Sequence, residues 1–119
     1  IDHTGYLPLL VKNGFCGPVY CTQGTKDLCE IMLPDSAHIQ EEDAKHAQKY
    51  NYSKHHPPLP LYTVKDAENA LTLFKPQIYN SSVPLNPDTS FQLIPAGYWF
   101  FICTYSSSKY DASFYRRSR

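Results

Sequence analysis

Glycine is scarce in this chain, with five among 119 residues, and none belongs to a Gly-rich phosphate loop of the P-loop or dinucleotide type. A Gly-x-Ser-x-Gly nucleophile elbow is equally absent. There is no excess of either charge, since eleven Lys and Arg balance eleven Asp and Glu. That neutrality excludes a polybasic grip on nucleic acid as the main device, because such binding rests on phosphate neutralisation by clustered cations. No apolar run approaches the ~18 residues needed to span a bilayer, and no signal peptide is visible. The first residue is Ile1 rather than Met, so the expectation is a piece of something longer, or a processed product.

Cys16, Cys21, Cys29 and Cys103 make an even number, yet they form neither paired Cys-x-x-Cys motifs nor a dense framework. Reduced, structural thiols are expected, and with them a cytoplasmic location. What the chain does have is 42% hydrophobic and 14% aromatic residues, enough for the modest core of a single domain.

Local patterns give the layout. Tyr6 to Gly14 reads as a short helix, with Pro8 in its first turn and Gly14 as its stop. Pro18 to Thr22 reads as a buried strand. Helix, tight turn and strand together make half of a layered unit, so the expected fold class is α/β. Thr25 offers an N-cap for a helix carrying Leu28, Ile31 and Met32, and Pro34 predicts a kink or a restart capped by Asp35 or Ser36. The restarted helix is polar enough to be a surface or lid helix anchored by Ile39 and Tyr50. Pro57, Pro58 and Pro60 force an extended connector. Thr63 and Asp66 resemble a capping box, and Val64 to Phe74 predicts a helix ended by Lys75-Pro76. Ser90 to Ile94 alternates as a strand, and from Tyr98 onward no period is visible.

Three groups of residues could carry chemistry. Asp2-His3 pairs a carboxylate with an imidazole, both suited to zinc, but a lone pair is a weak signal. His38, Glu42 and His46 would stack along one stripe of a helix. The expectation there is a solvated face with Glu–His and Glu–Lys pairs, and a metal site is the alternative. His55-His56 is expected to be loop polarity. Thr22 to Thr25 could rest an anion on a helix start, a minor possibility.

The run Ile1-Asp2-His3-Thr4-Gly5-Tyr6-Leu7-Pro8-Leu9-Leu10, then Gly14-Phe15-x-Gly17-Pro18-Val19-Tyr20-Cys21-Thr22, resembles the metallo-β-lactamase-fold RNA-processing nucleases of the β-CASP family. Asp27 to Ala44 and Lys54 to Thr63 are similar to its bacterial members, and the resemblance extends over residues 1–97. It implies a fragment of an αββα sandwich with a largely helical middle segment: a partial domain over 1–97 and an atypical tail over 98–119. The family's His-x-His-x-Asp-His signature would end at Asp2-His3. By that resemblance Asp2 and His3 are ligands of the second of two zinc ions, Asp2 is also the catalytic residue, RNA is the partner of the complete enzyme, and a homodimer is allowed. No membrane is implied. The fragment alone is expected to be inactive, because its two ligands cannot fix a binuclear site. A non-enzymatic α/β binding or interaction module, using the Pro57-Pro58-x-Pro60 connector or the His38/His46 helix, is the alternative.

The departures are specific. Where the family has Ala-Gly-His, this chain reads Ala96-Gly97-Tyr98, and the family's following Gly-Asp element is missing. Codons exist for Trp99 to Tyr105 that, read one base later, spell Gly-Ser-Ser-Ser-Val-Arg, which resembles the family's continuation. In the same frame Phe114 to Ser118 can spell Phe-Ile-Gly-Asp. The hypothesis is therefore that residues from about Tyr98 onward are a frame-shifted read, poorly packed or forming only an incidental strand around Trp99 to Thr104. Sequencing the coding DNA checks it: codons at Trp99 and Arg117 that permit the shifted reading are expected, and codons that forbid it end the idea.

Overall fold

The computed structural model describes residues 3–95 and, for residues 103–107, the backbone. In chain order the elements are α1 (Leu7–Lys12), β1 (Val19–Cys21), α2 (Gln23–Tyr50), α3 (Val64–Leu71), β2 (Phe74–Pro76), β3 (Ser82–Asn86), β4 (Thr89–Leu93) and β5 (Cys103–Ser107). The class is mixed α/β with a helical middle, as expected.

β1 and β2 pair in parallel, with Val19 opposite Phe74 and Cys21 opposite Pro76. A parallel pair cannot be joined by a tight turn, and here α2, the proline-rich connector and α3 make the crossover. β3, β4 and β5 form an antiparallel sheet in that order. Its edge strand β3 contains Pro84, and the register shifts between Pro84 and Asn86. The Tyr20 and Phe91 rings, 4.9 Å apart, touch across from β1 to β4.

α1 ends as its sequence predicts. Gly14 takes φ +103°, the Phe15 N–H donates to the Leu10 carbonyl at 3.2 Å, and the Gly14 N–H donates to that of Val11 at 2.9 Å. These two bonds satisfy carbonyls left open by the helix end, and a side chain at position 14 would be strained in that conformation.

α2 differs from expectation. It is one continuous helix of 28 residues, about 42 Å long at ~1.5 Å per residue, with Pro34 inside it and no restart at Asp35 or Ser36. Pro34 removes one hydrogen bond, but Leu33 and Ala37 beside it are fully buried in the core, and that packing outweighs one lost bond. The N-cap is Thr22, not Thr25: the Thr25 N–H donates to Thr22 Oγ1 at 3.2 Å. The buried face is also not the one expected. Thr25, Cys29, Leu33, Ala37 and Ala47 are buried, whereas Ile31 is 72% and Ile39 53% exposed, and Tyr50 is exposed too. Ile39 and Tyr50 are therefore not anchors.

α3 starts on a capping box. The Thr63 N–H donates to Asp66 Oδ2 at 2.9 Å and the Asp66 N–H donates to Thr63 Oγ1 at 3.3 Å. The helix stops at Leu71, short of Phe74, which enters β2 and buries its ring there. Lys75 and Pro76 thus lie in a strand rather than ending a helix. The core joins Cys21, Cys29, Leu33, Ala37, Tyr62, Ala67 and Phe74, with Leu7, Leu9, Val19, Val64 and Leu71 packed around them.

At the end of the chain the described strand is Cys103–Ser107, antiparallel to β4. The expected incidental strand around Trp99 to Thr104 overlaps it at Cys103 and Thr104. The rest of that expectation, and the remainder of the tail, lies outside the described residues.

The Asp66 carboxyl is held below the usual carboxylate range, chiefly because the Thr63 N–H donates to it. A carboxyl depressed in the fold stabilises it fully above its unfolded value of about 3.9, and that gain is lost as pH falls through the lower folded value. Asp66→Ala is expected to cost about 1 kcal/mol at pH 7, with the gap to the parent chain narrowing below about pH 4. Urea denaturation at both pH values checks this.

Candidate functional site

The corner that carries His3 is built by the turn leading into α1. The Leu7 N–H donates to the Thr4 carbonyl at 3.0 Å, and Pro8, buried in the first turn, anchors the helix. Leu7 and Leu9 of α1 pack against the core cluster that includes Cys29, in the second turn of α2. His3 is exposed and, with Tyr6, Leu7, Leu9, Leu10 and Asn13, lines an open cavity of about 360 Å³. Asp2, its expected co-ligand, lies outside the described residues.

A zinc centre needs three or four converging N, O or S donors. Among the described residues no group of three or more His, Cys, Asp and Glu side chains stands together in that way. The described residues by themselves do not fit a two-zinc centre.

The His38, Glu42 and His46 stripe is confirmed as a solvated face. All three are exposed. Glu42 accepts from Lys45 Nζ at 2.8 Å, and that bond, then the lysine's charge, holds its carboxyl below the ordinary range, with His38 and His46 adding to the effect. His46 packs its ring on Tyr50 at 4.8 Å instead of turning toward His38. His55 and His56 are exposed in the connector, where the His55 N–H donates to Ser53 Oγ.

The start of α2 is not an open anion cradle. Thr22 Oγ1 already takes the Thr25 N–H and lies 2.8 Å from Thr25 Oγ1, with both threonines buried. Burial, reinforced by the neighbouring Cys29, pushes the Cys21 thiol up to about 11, and burial raises Cys29 as well. These two behave as small apolar residues; Cys16 is exposed, and all three are free thiols.

Three long-range contacts at the head of α3 are invisible in the sequence. The Val64 N–H donates to Glu41 Oε1 of α2 at 2.9 Å, Lys12 Nζ of α1 donates to the Leu61 carbonyl at 3.1 Å, and Lys12 also stands 3.8 Å from Asp66. Glu41 reads locally as one more charge on a polar helix, so only the packing of α2 on α3 shows its role.

No protein-family model matches the chain. Among curated proteins it is similar to transcription termination factor FttA of Methanococcus maripaludis, at 29% identity over 98 residues, which is 82% of this chain and 13% of that protein. FttA of Methanocaldococcus jannaschii gives the same figures. A ribonuclease of Thermus thermophilus is 33% identical over 79 residues, 66% of this chain and 14% of the ribonuclease. The chain therefore spans about one-seventh or less of the length of these relatives.

Thiol accessibility checks the buried arrangement of this corner. On brief exposure to iodoacetamide at pH 7.5, Cys16 is expected to be alkylated while Cys21 and Cys29 stay unmodified until denaturant is added. Peptide mass spectrometry reads each position separately.

Proposed function

We propose that this chain is a segment of a zinc-dependent hydrolase of RNA phosphodiester bonds, of the metallo-β-lactamase-fold β-CASP family, and that it is inactive on its own. The observation that carries the reading is the similarity to a protein named as a ribonuclease and to proteins named as transcription termination factors, added to an Asp2-His3 pair placed as the family signature would place it. The position of His3, exposed on the wall of an open cavity formed with α1, supports it. In this reading Asp2 and His3 each give one donor to a two-zinc centre. The other donors come from parts of the relatives that this chain does not span, and RNA is the partner of the complete enzyme. Residues 1–97 are then the enzyme's own partial domain and 98–119 the shifted tail. Free thiols at Cys16, Cys21 and Cys29 suit a reducing, cytoplasmic setting. No helix among the described residues is long and apolar enough to cross a membrane.

A second reading, a non-enzymatic module with a genuine tail, draws on one observation: the backbone of Cys103–Ser107 pairs in register with β4. A coding sequence that forbids the frame shift favours it.

Zinc titration by calorimetry separates the two-zinc chemistry of a complete enzyme from this segment. The chain is expected to bind no pair of ions tightly, and stoichiometric binding of two would contradict the proposal. In the gene's complete, frame-restored product, Asp2→Ala is expected to lower RNA hydrolysis by about 100-fold or more, and unchanged hydrolysis would remove Asp2 from the site.

A further inference from the structure

Charge is segregated along the second half of α2 and the connector after it. Glu41, Glu42 and Asp43 are followed by no acid until Asp66, and between them lie Lys45, Lys49, Lys54 and Lys65 with His46, His55 and His56. A chain that is neutral as a whole thus carries a local cationic stretch. Lys45 is engaged by Glu42, while Lys49, Lys54 and His46 are exposed.

The same stretch exposes two large rings, Tyr50 at 58% and Tyr52 at 65%. Tyr50 is organised: the His46 ring packs on it at 4.8 Å and 43° between planes, and Lys49 Nζ stands 5.4 Å from its centroid. A helix end needs a cation in its last turn to offset its partial negative charge, which accounts for Lys49. It does not account for two exposed tyrosines beside it.

We propose that the carboxyl end of α2, centred on Tyr50 with His46, Lys49, Tyr52 and Lys54, is a stacking surface for single-stranded RNA. The proposal rests on RNA being the partner in the reading above, but the surface is a different one from the Asp2-His3 corner. Aromatic rings offer π-faces to bases of any sequence, and adjacent lysines track the phosphates. Lys49 is long and exposed, so its ammonium exchanges the ring for a phosphate while the ring takes a base. A duplex offers no free base face, so unpaired strands are the substrate this surface selects. A protein partner is disfavoured, because nothing in the patch is a buried apolar anchor of the kind that dominates such interfaces.

The test uses the full 119-residue chain and a fluorescein-labelled oligouridylate of about 12 nucleotides, read by anisotropy at low salt. Tyr50→Ala is expected to weaken binding by about 5- to 100-fold, and Tyr50→Phe to bind as the parent chain does. Lys49→Ala should flatten the salt dependence by roughly 0.7 in log–log slope, while Lys75→Ala, exposed on β2, should change nothing. All three positions are exposed, so circular dichroism should show an unchanged fold. Absence of binding by the parent chain, Tyr50→Ala binding equal to the parent, or a duplex bound as tightly as the single strand would each overturn the proposal. Those failures would leave the hydrolase reading to its own zinc and Asp2 tests. Conversely, RNA held through Tyr50 by this chain, together with unchanged hydrolysis by the Asp2→Ala variant of the complete, frame-restored product, would uphold this surface and remove that reading.

Discussion

The amino end of α3 is the junction on which the helical half of the structure depends. Its first turn would present unpaired backbone donors to a partly buried environment, and leaving those unmet is costly. Thr63 and Asp66 meet them from within, Glu41 reaches across from α2 to the Val64 N–H, and Lys12 reaches in from α1 to Asp66 and the Leu61 carbonyl. One helix start thereby ties three helices and the end of the proline-rich connector together. Tyr62, immediately before it, is 1% exposed, and its hydroxyl lies 3.3 Å from Ser36 Oγ on α2. A ring that deep in the core with its oxygen satisfied holds the connector in place as firmly as the cap does.

Below the junction the contact is made by small side chains. Ala37 on α2 and Ala67 and Ala70 on α3 are fully buried, and with no bulk to separate them the helices approach closely. This is how Leu33, Cys29 and Phe74 reach one cluster with residues of α1. Leu7 and Leu9, just after the turn at Thr4, pack on the same cluster. The position of the His3 corner is therefore set by core packing through α1.

What could be read from the residues and what could not divides along the distance over which each signal acts. Caps are local: Gly14, Thr63 and Asp66 were legible because each satisfies neighbours within four residues, and Pro8 because its fixed φ suits a first helical turn. The buried face of α2 was not, since Leu28, Ile31 and Ile39 are more apolar than Thr25, Cys29 and Ala37, yet the small residues win where another helix must come close. Pro34 looked like a break because the cost of a helical proline is local, while the packing that outweighs it involves Ala67 and Tyr62, some thirty residues on. Phe74 continued a helical period by coincidence and was claimed instead by its partner Val19 on β1. β3 escaped notice because Pro84 and its polar neighbours carry no alternation. For the candidate site, residue types gave the solvated character of the His38 stripe, whereas Glu41 and the exposure of Tyr50 became visible once the helices were in place.

The proline in β3 has a consequence for the molecule's behaviour in a crowded cell. An outermost strand with regular, unpaired main-chain groups invites a neighbouring polypeptide to continue the ladder, which is how misassembly spreads from one copy to the next. Pro84 has no amide hydrogen to offer, and the slipped register beside it bends the rim out of regularity. That side of the sheet is consequently a poor template for lateral growth.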